Sequence, residues 1–180
     1  YKSNILIQSA IDNWEKNNKK KYKAIIFIEP SSSKINNKQF YFKHKNKDWS
    51  FENWKKLINA LSKDYLIIQS IHKESTRCEN VYYCDTDFRT ACSVMNKSDL
   101  YIGLEGGFGH VAAALKKKAV IYFGGWIHPK VTGYEFHKNI YVNINESPCG
   151  SMSYQCKHCQ ECREKISIDN FYNIILDYLN

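Results

Sequence analysis

Two groups of residues in this sequence have the types and spacing to do chemistry. The first is Glu105-Gly106-Gly107-Phe108-Gly109-His110, between the apolar run Leu100-Tyr101-Ile102-Gly103 and the helix former Val111-Ala112-Ala113-Ala114-Leu115. A helix that starts here presents unpaired backbone N–H groups and the positive end of its dipole. Gly106, Gly107 and Gly109 leave no Cβ in the way of a phosphate approaching that backbone. His110 falls in the first turn, where its ring can reach the same anion. The pattern is that of a phosphate cradle, although a plain tight turn would use the same glycines. It is neither the dinucleotide G-x-G-x-x-G nor a Walker loop. The second group is Cys149, Cys156, Cys159 and Cys162, spaced C-x6-C-x2-C-x2-C with His158 inside. Two-residue gaps let successive thiolates point at one centre, and four thiolates fill a closed tetrahedral shell, most simply around zinc. Iron held by the same cysteines, or an iron–sulfur cluster, is the alternative, as are free thiols or disulfides. A closed shell has no open position, so the metal's role would be structural. Cys78, Cys84 and Cys92 lack such spacing and read as buried or incidental.

Charge narrows the partners without choosing one. Lys and Arg number 26 against 18 Asp and Glu, a formal charge of +8. This favours anions such as nucleotides, phosphosugars, nucleic acid or lipid headgroups. With 43% hydrophobic and 24% charged residues the chain is neither disordered nor collagen-like. No apolar run approaches the ~18 residues of a membrane span. Seven cysteines cannot all pair with one another. No secretory leader opens the chain, so the expected compartment is reducing and cytoplasmic, with a peripheral place at the inner face of the membrane as a variant. A start at Tyr1 rather than Met reads as a piece of something longer.

The elements that must position these groups follow from periodicity. Ile5, Leu6, Ala10, Ile11 and Trp14 repeat at helical spacing, and Phe51, Trp54, Leu57, Ile58 and Leu61 do the same behind Ser50, a candidate N-cap. Residues 88–97 and the tail Ser167–Leu179 read as further helices. Continuous apolar runs at Ala24–Ile28, Tyr65–Gln69, Asp99–Gly103 and Ala119–Phe123 have the look of strands buried on both faces, with shorter ones at Val81–Tyr83 and Asn139–Val142. Strands alternating with helices predict an α/β fold, a Rossmann-like parallel sheet with helices on both faces. The expected division is a Rossmann-like domain over 1–145, a cysteine-rich metal-binding segment over 146–166, and a helix over 167–180 that packs back on the domain. Gly124, Gly125 and His128 follow a strand end, where ligand crevices form, and Trp126 beside them reads as packing on the sheet.

The segment Ser98–Leu115, followed by Ala119–Gly124, resembles the donor-binding half of the ADP-heptose–lipopolysaccharide heptosyltransferases. That resemblance implies one C-terminal half of a GT-B fold of two Rossmann-like domains. The family motif runs acidic residue, Ser/Thr, Gly, two variable residues, His, then an Ala-rich helix. Glu105, Gly107 and His110 fall on it, with Glu where Asp is usual, and Gly106 replaces the hydroxyl residue. By the same resemblance Ser31, Ser32 and Ser33 would line the phosphate pocket, Lys47 of Lys47-Asp48-Trp49 would contact the pyrophosphate, and Glu74 would bond the ribose. The implied activity is transfer of a sugar, such as a heptose, from a nucleotide-diphosphate donor, with no metal expected in the chemistry. Such enzymes carry an acceptor domain of comparable size, whereas about two dozen residues here precede the first strand. The acceptor domain is therefore expected elsewhere, and the catalytic residue is unassigned: Glu105 and His128 are the only candidates for a base, and both are strained ones. The alternative reading is a non-catalytic basic module with a metal knuckle that grips nucleic acid or a protein. The spread of the lysines over several loops makes nucleic acid the less expected ligand.

Overall fold

The structure, a computed structural model, describes residues 1–30, 45–73, 75–151 and 156–179. Six strands form one sheet: β1 (Ile25–Glu29), β2 (Leu66–Ile71), β3 (Tyr82–Asp85), β4 (Leu100–Leu104), β5 (Ala119–Gly124) and β6 (Lys138–Tyr141). Their order is β3-β2-β1-β4-β5-β6, and every neighbouring pair is parallel. The α/β expectation holds, with a Rossmann-like order.

Side-chain alternation along each strand feeds two cores. Ile26, Ile28, Ile67, Ile102, Val120 and Tyr122 point to one face. There they meet α2 (Phe51–Leu61) and the C-terminal helix α7 (Ile168–Leu179). Phe27, Leu66, Ile68, Tyr101, Ile121 and Phe123 point to the other. They meet α1 (Lys2–Asn18), α3 (Phe88–Lys97) and α4 (Gly107–Ala114). Both faces are covered, which is why the strands read as unbroken apolar runs rather than alternating ones. Trp49 anchors the first core, with its ring centroid 4.7 Å from Phe171 and 5.4 Å from Trp54. Ser50 caps α2 as expected, its Oγ accepting from the Asn53 N–H at 3.3 Å.

Chain order reverses direction between β1 and β4. The connection after β1 runs toward β2, and the one after β4 runs toward β5. Their loops part at the carboxyl ends and leave a crevice between them. The glycine turn leaves β4 at this point.

Two helices were not legible in the sequence: α5 (Pro129–Thr132) and α6 (Lys157–Glu164). The second lies inside the cysteine-rich segment. Its buried residues are His158, Cys159 and Cys162, and Cys156 caps it, the Cys159 N–H donating to Cys156 Sγ at 3.4 Å. Spacing of C-x2-C suits a knuckle, but it also places both thiols on one face of a helix. Among the described residues no helix is long and apolar enough to cross a membrane.

Candidate functional site

The turn after β4 is tied down at its first residue and open at its next two. The Glu105 N–H donates to the Tyr122 carbonyl at 3.1 Å, which fixes the turn against β5. Gly106 then serves as N-cap of α4 in an extended conformation, with no side chain to occupy the first-turn N–H groups. A Cβ on Gly107 would meet nothing within 4 Å, whereas one on Gly109 would lie 3.7 Å from Ile121 Cδ1. Gly107 therefore keeps the helix end open, and Gly109 sits where the helix closes on the sheet.

Lys47 brings a cation to that opening. It stands on a single 3-10 turn, Lys45–Lys47, and its Nζ lies 2.7 Å from Glu105 Oε2. The side chains are only 20% and 10% exposed, so the pair is screened less than a surface ion pair. The same Nζ would be 3.7 Å from a Cβ on Gly106 and lies 5.6 Å from the centre of the Trp126 ring. His110 is exposed on the first turn of α4, its Nδ1 3.0 Å from Tyr134 Oη. Beside them is a narrow cleft lined by Glu105, Gly106, His110, Thr132, Tyr134 and His137 among others. Burial lowers the pKa of His137, opposed by the Lys117 backbone, so that ring is biased toward its neutral form. An open helix start, an adjacent lysine and an exposed histidine together make a seat for a compact anion.

Of the residues singled out in the sequence, Lys47, Glu105, Gly106, Gly107 and His110 are gathered in this region. Ser31, Ser32, Ser33 and Glu74 lie outside the described residues. Gly125 and His128 have other contacts. The Nδ1 of His128 accepts from the Lys130 N–H at 3.1 Å and so caps α5, with its ring 4.7 Å from that of Tyr141. Gly125 is pressed against the cysteine-rich helix: a Cβ there would overlap Cys162 Sγ and come within 2.9 Å of His158 Cε1. Gly125→Ala should therefore push α6 off the end of β5 and destabilise the fold by about 1–3 kcal/mol, read as a lower urea midpoint. Trp126 has a role beyond packing, since its face lies under Lys47.

The cysteines form a second cluster. The Sγ atoms of Cys149, Cys156 and Cys159 and a ring nitrogen of His158 all lie within 4.8 Å of one another. Cys149 Sγ is 3.1 Å from Cys159 Sγ and 4.0 Å from Cys156 Sγ. Cys162 is buried next to them, its Sγ 3.6 Å from His158 Nε2. Sequence spacing pointed to four thiols and passed over His158, although it directly precedes Cys159. Its Nε2 is held by Ser147 Oγ at 2.7 Å, which leaves Nδ1, 3.8 Å from Cys159 Sγ, on the thiol side. A polar partner on the far nitrogen is the usual arrangement for a metal-binding histidine. Burial pushes the Cys159 thiol far up, and the adjoining Cys149 and Cys156 add to this. Burial also acts against ionisation of Cys156, but the Cys159 N–H and neighbouring thiols outweigh it and hold that thiol below its ordinary range. Thiolates this close repel in a low-dielectric site, and a divalent cation among them removes the repulsion. Three thiolates and an imidazole are a donor set for zinc or iron, so the residues fit a metal.

A sequence model of glycosyltransferase family 9 (heptosyltransferase) matches residues 3–162. The chain belongs to this family. No curated protein matches it. The fold is similar to the iron-containing dodecameric glycosyltransferase TibC of enterotoxigenic Escherichia coli H10407, at 14% identity and a TM-score of 0.64 over 89% of this chain and 46% of TibC. TibC is also described as a heptosyltransferase in complex with ADP-D-beta-D-heptose. The E. coli ADP-heptose lipopolysaccharide heptosyltransferase II matches at 14% identity and 0.60, over 95% of this chain and 51% of its own. E. coli WaaC, solved with ADP, matches at 13% and 0.59, over 87% and 44%. The chain thus spans about half the length of these solved structures. The glycine-turn segment and its Ala-rich helix fall inside the matched span.

Proposed function

We propose that this chain is the donor-binding half of a family 9 glycosyltransferase, and that the start of α4 receives the diphosphate of a nucleotide sugar. One observation carries the reading: Lys47 Nζ stands 2.7 Å from Glu105 at the uncapped glycine end of a helix, where the sheet's order reverses. Positive charge from the helix end and from Lys47 would stabilise the nucleoside diphosphate as its bond to the sugar breaks. His110, one turn in, would add a donor to the same phosphates. Glu105, already paired with Lys47, would hold the ammonium at the mouth of the seat. The acceptor and its domain lie beyond these residues, and ADP-heptose, which TibC binds, is the first donor to try. Residues 1–145 would make up the nucleotide-sugar domain, with 146–166 and 167–180 docked on it. The enzyme would work in the cytoplasm in the synthesis of a cell-envelope polysaccharide.

Cys149, Cys156, Cys159 and His158, with Cys162 beside them, would hold a structural zinc or iron. The metal supplies charge balance and a cross-link to the segment, and the chain's own residues shape the donor seat.

The test is thermal. At a nucleoside diphosphate concentration of about 100 times Kd, stabilisation should reach about 2.7 kcal/mol, a rise in Tm of roughly 5–11 °C for a chain of this size. ADP, UDP, GDP and CDP tested side by side identify the base. A rise with oligonucleotides and none with any of the four would refute the reading.

Gly106 offers a gain-of-contact prediction. Its backbone is extended, and a Cβ there would reach only ordinary contact with Lys47. Gly106→Ser should be tolerated and tighten diphosphate binding severalfold where its hydroxyl donates to the phosphate rather than capping the helix. Calorimetry with ADP reads the effect.

A further inference from the structure

Lys47 and Trp126 come from different loops, yet one segment holds both. Asn46, next to Lys47 and only 2% exposed, donates from Nδ2 to the Ser151 carbonyl at 2.8 Å, with Cys156 Sγ 3.9 Å from the same nitrogen. Just before Ser151, the Cys149 N–H donates to the Gly125 carbonyl at 3.1 Å and the Gly150 N–H to the Trp126 carbonyl at 2.9 Å. On the other side of Lys47, Trp49 Nε1 donates to the Ile166 carbonyl at 3.2 Å, immediately past α6. The turn that carries Lys47 is therefore clamped from both ends by the cysteine-rich region, which also braces the loop beneath the ammonium.

We propose that Asn46 is a positioning residue for Lys47: through a bond between residues 105 apart in sequence it ties the lysine's turn to the cysteine cluster, so that the cluster sets the geometry of the anion seat. The inference rests on the diphosphate reading for its consequence but not for its geometry. The amide of Asn46 is buried, and its removal takes away the bond that ties the turn to Ser151. Lys47 has only the turn to fix its Cα, because its side chain is a flexible stem with a point charge. Slack in the turn is slack at Nζ. A metal among the thiolates would stiffen the anchor, because Cys156 touches Asn46 directly.

The experiment uses the full chain as purified, in the wild type, Asn46→Ala, the isosteric Asn46→Asp, Lys47→Ala and the Asn46→Ala/Lys47→Ala pair. ADP affinity should fall about 5–20-fold in Asn46→Ala, with metal content unchanged, and fall by less than about 2-fold when the same change is made in the Lys47→Ala background, since a residue acting through Lys47 has nothing left to position. Losses that multiply in the double variant overturn the proposal. A second readout needs no nucleotide: the acylation rate of Lys47, followed by mass spectrometry, should rise at least about 3-fold in Asn46→Ala and Asn46→Asp while that of the other lysines stays put, because the Glu105 pairing that shields it loosens. Stripping the metal from the wild type should raise the same rate. If the wild type binds no nucleoside diphosphate, the functional reading fails and the acylation rates alone decide the positioning role. If those rates are unmoved in both Asn46 variants, the positioning role is wrong whatever ADP does.

Discussion

Replacing Lys47 with alanine is expected to weaken nucleoside diphosphate binding by about 10–100-fold and to erase most of the ligand-induced rise in Tm. A hydrogen bond to a charged group is worth about 1.5–3 kcal/mol, and this one is partly buried against Glu105 and Trp126. The loss has a second part. With the ammonium gone, the Glu105 carboxylate, 10% exposed, is left unpaired beside an incoming dianion. Lys47→Ala/Glu105→Gln should therefore recover a measurable share of the affinity, and Glu105→Gln alone should cost far less than Lys47→Ala. His110→Ala should cost less as well, because that ring is exposed and its contribution screened. Titration calorimetry with the preferred nucleotide gives all four affinities. Wild-type affinity in Lys47→Ala would remove the lysine from the site and with it the assignment of this helix end.

The other large effect is expected on metal removal. The purified chain should carry about one metal per molecule by elemental analysis, and a chelator under reducing conditions should lower its Tm by roughly 8–16 °C. The figure follows from about 4 kcal/mol of linkage at a metal concentration 1,000 times Kd, at 2–4 °C per kcal/mol for this length. Little else can hold the segment. None of the described residues among 143–151 and 156–157 is buried, and among them docking rests on the Cys149 and Gly150 backbone bonds, the Gly125 contact and Asn46. Cys159→Ser, which removes the buried central thiol, should mimic chelation, and Cys78→Ser should not. A metal-free preparation with an unchanged melting curve and reactive Cys149 and Cys156 thiols would dismiss the metal site.

The cysteine segment and the glycine turn differ in how far the amino-acid sequence reaches. Apolar runs of strand length, helical repeats at Trp54 and Leu57 or Phe171 and Ile175, and the Ser50 cap are local patterns. Each records which side of its own element must leave water, so the sheet, the helices and the glycine opening could be read residue by residue. Lys47 was reached only through family resemblance, since nothing around one lysine among many marks it. What tertiary structure alone decided is who meets whom. His128 looked available and is spent capping α5; Gly125 looked like a crevice wall and is the floor under Cys162; His158 joined the thiols because a helix turned it toward them. The bond from Asn46 to Ser151 exists because the turn before α2 lies against β5, and Cys149 and Gly150 bond back to Gly125 and Trp126 just past that strand. Periodicity carries information over one or two turns of chain, whereas strand order and long-range hydrogen bonds depend on the whole set of packed layers, and that is the scale at which the turn carrying Lys47 was joined to the cysteine cluster.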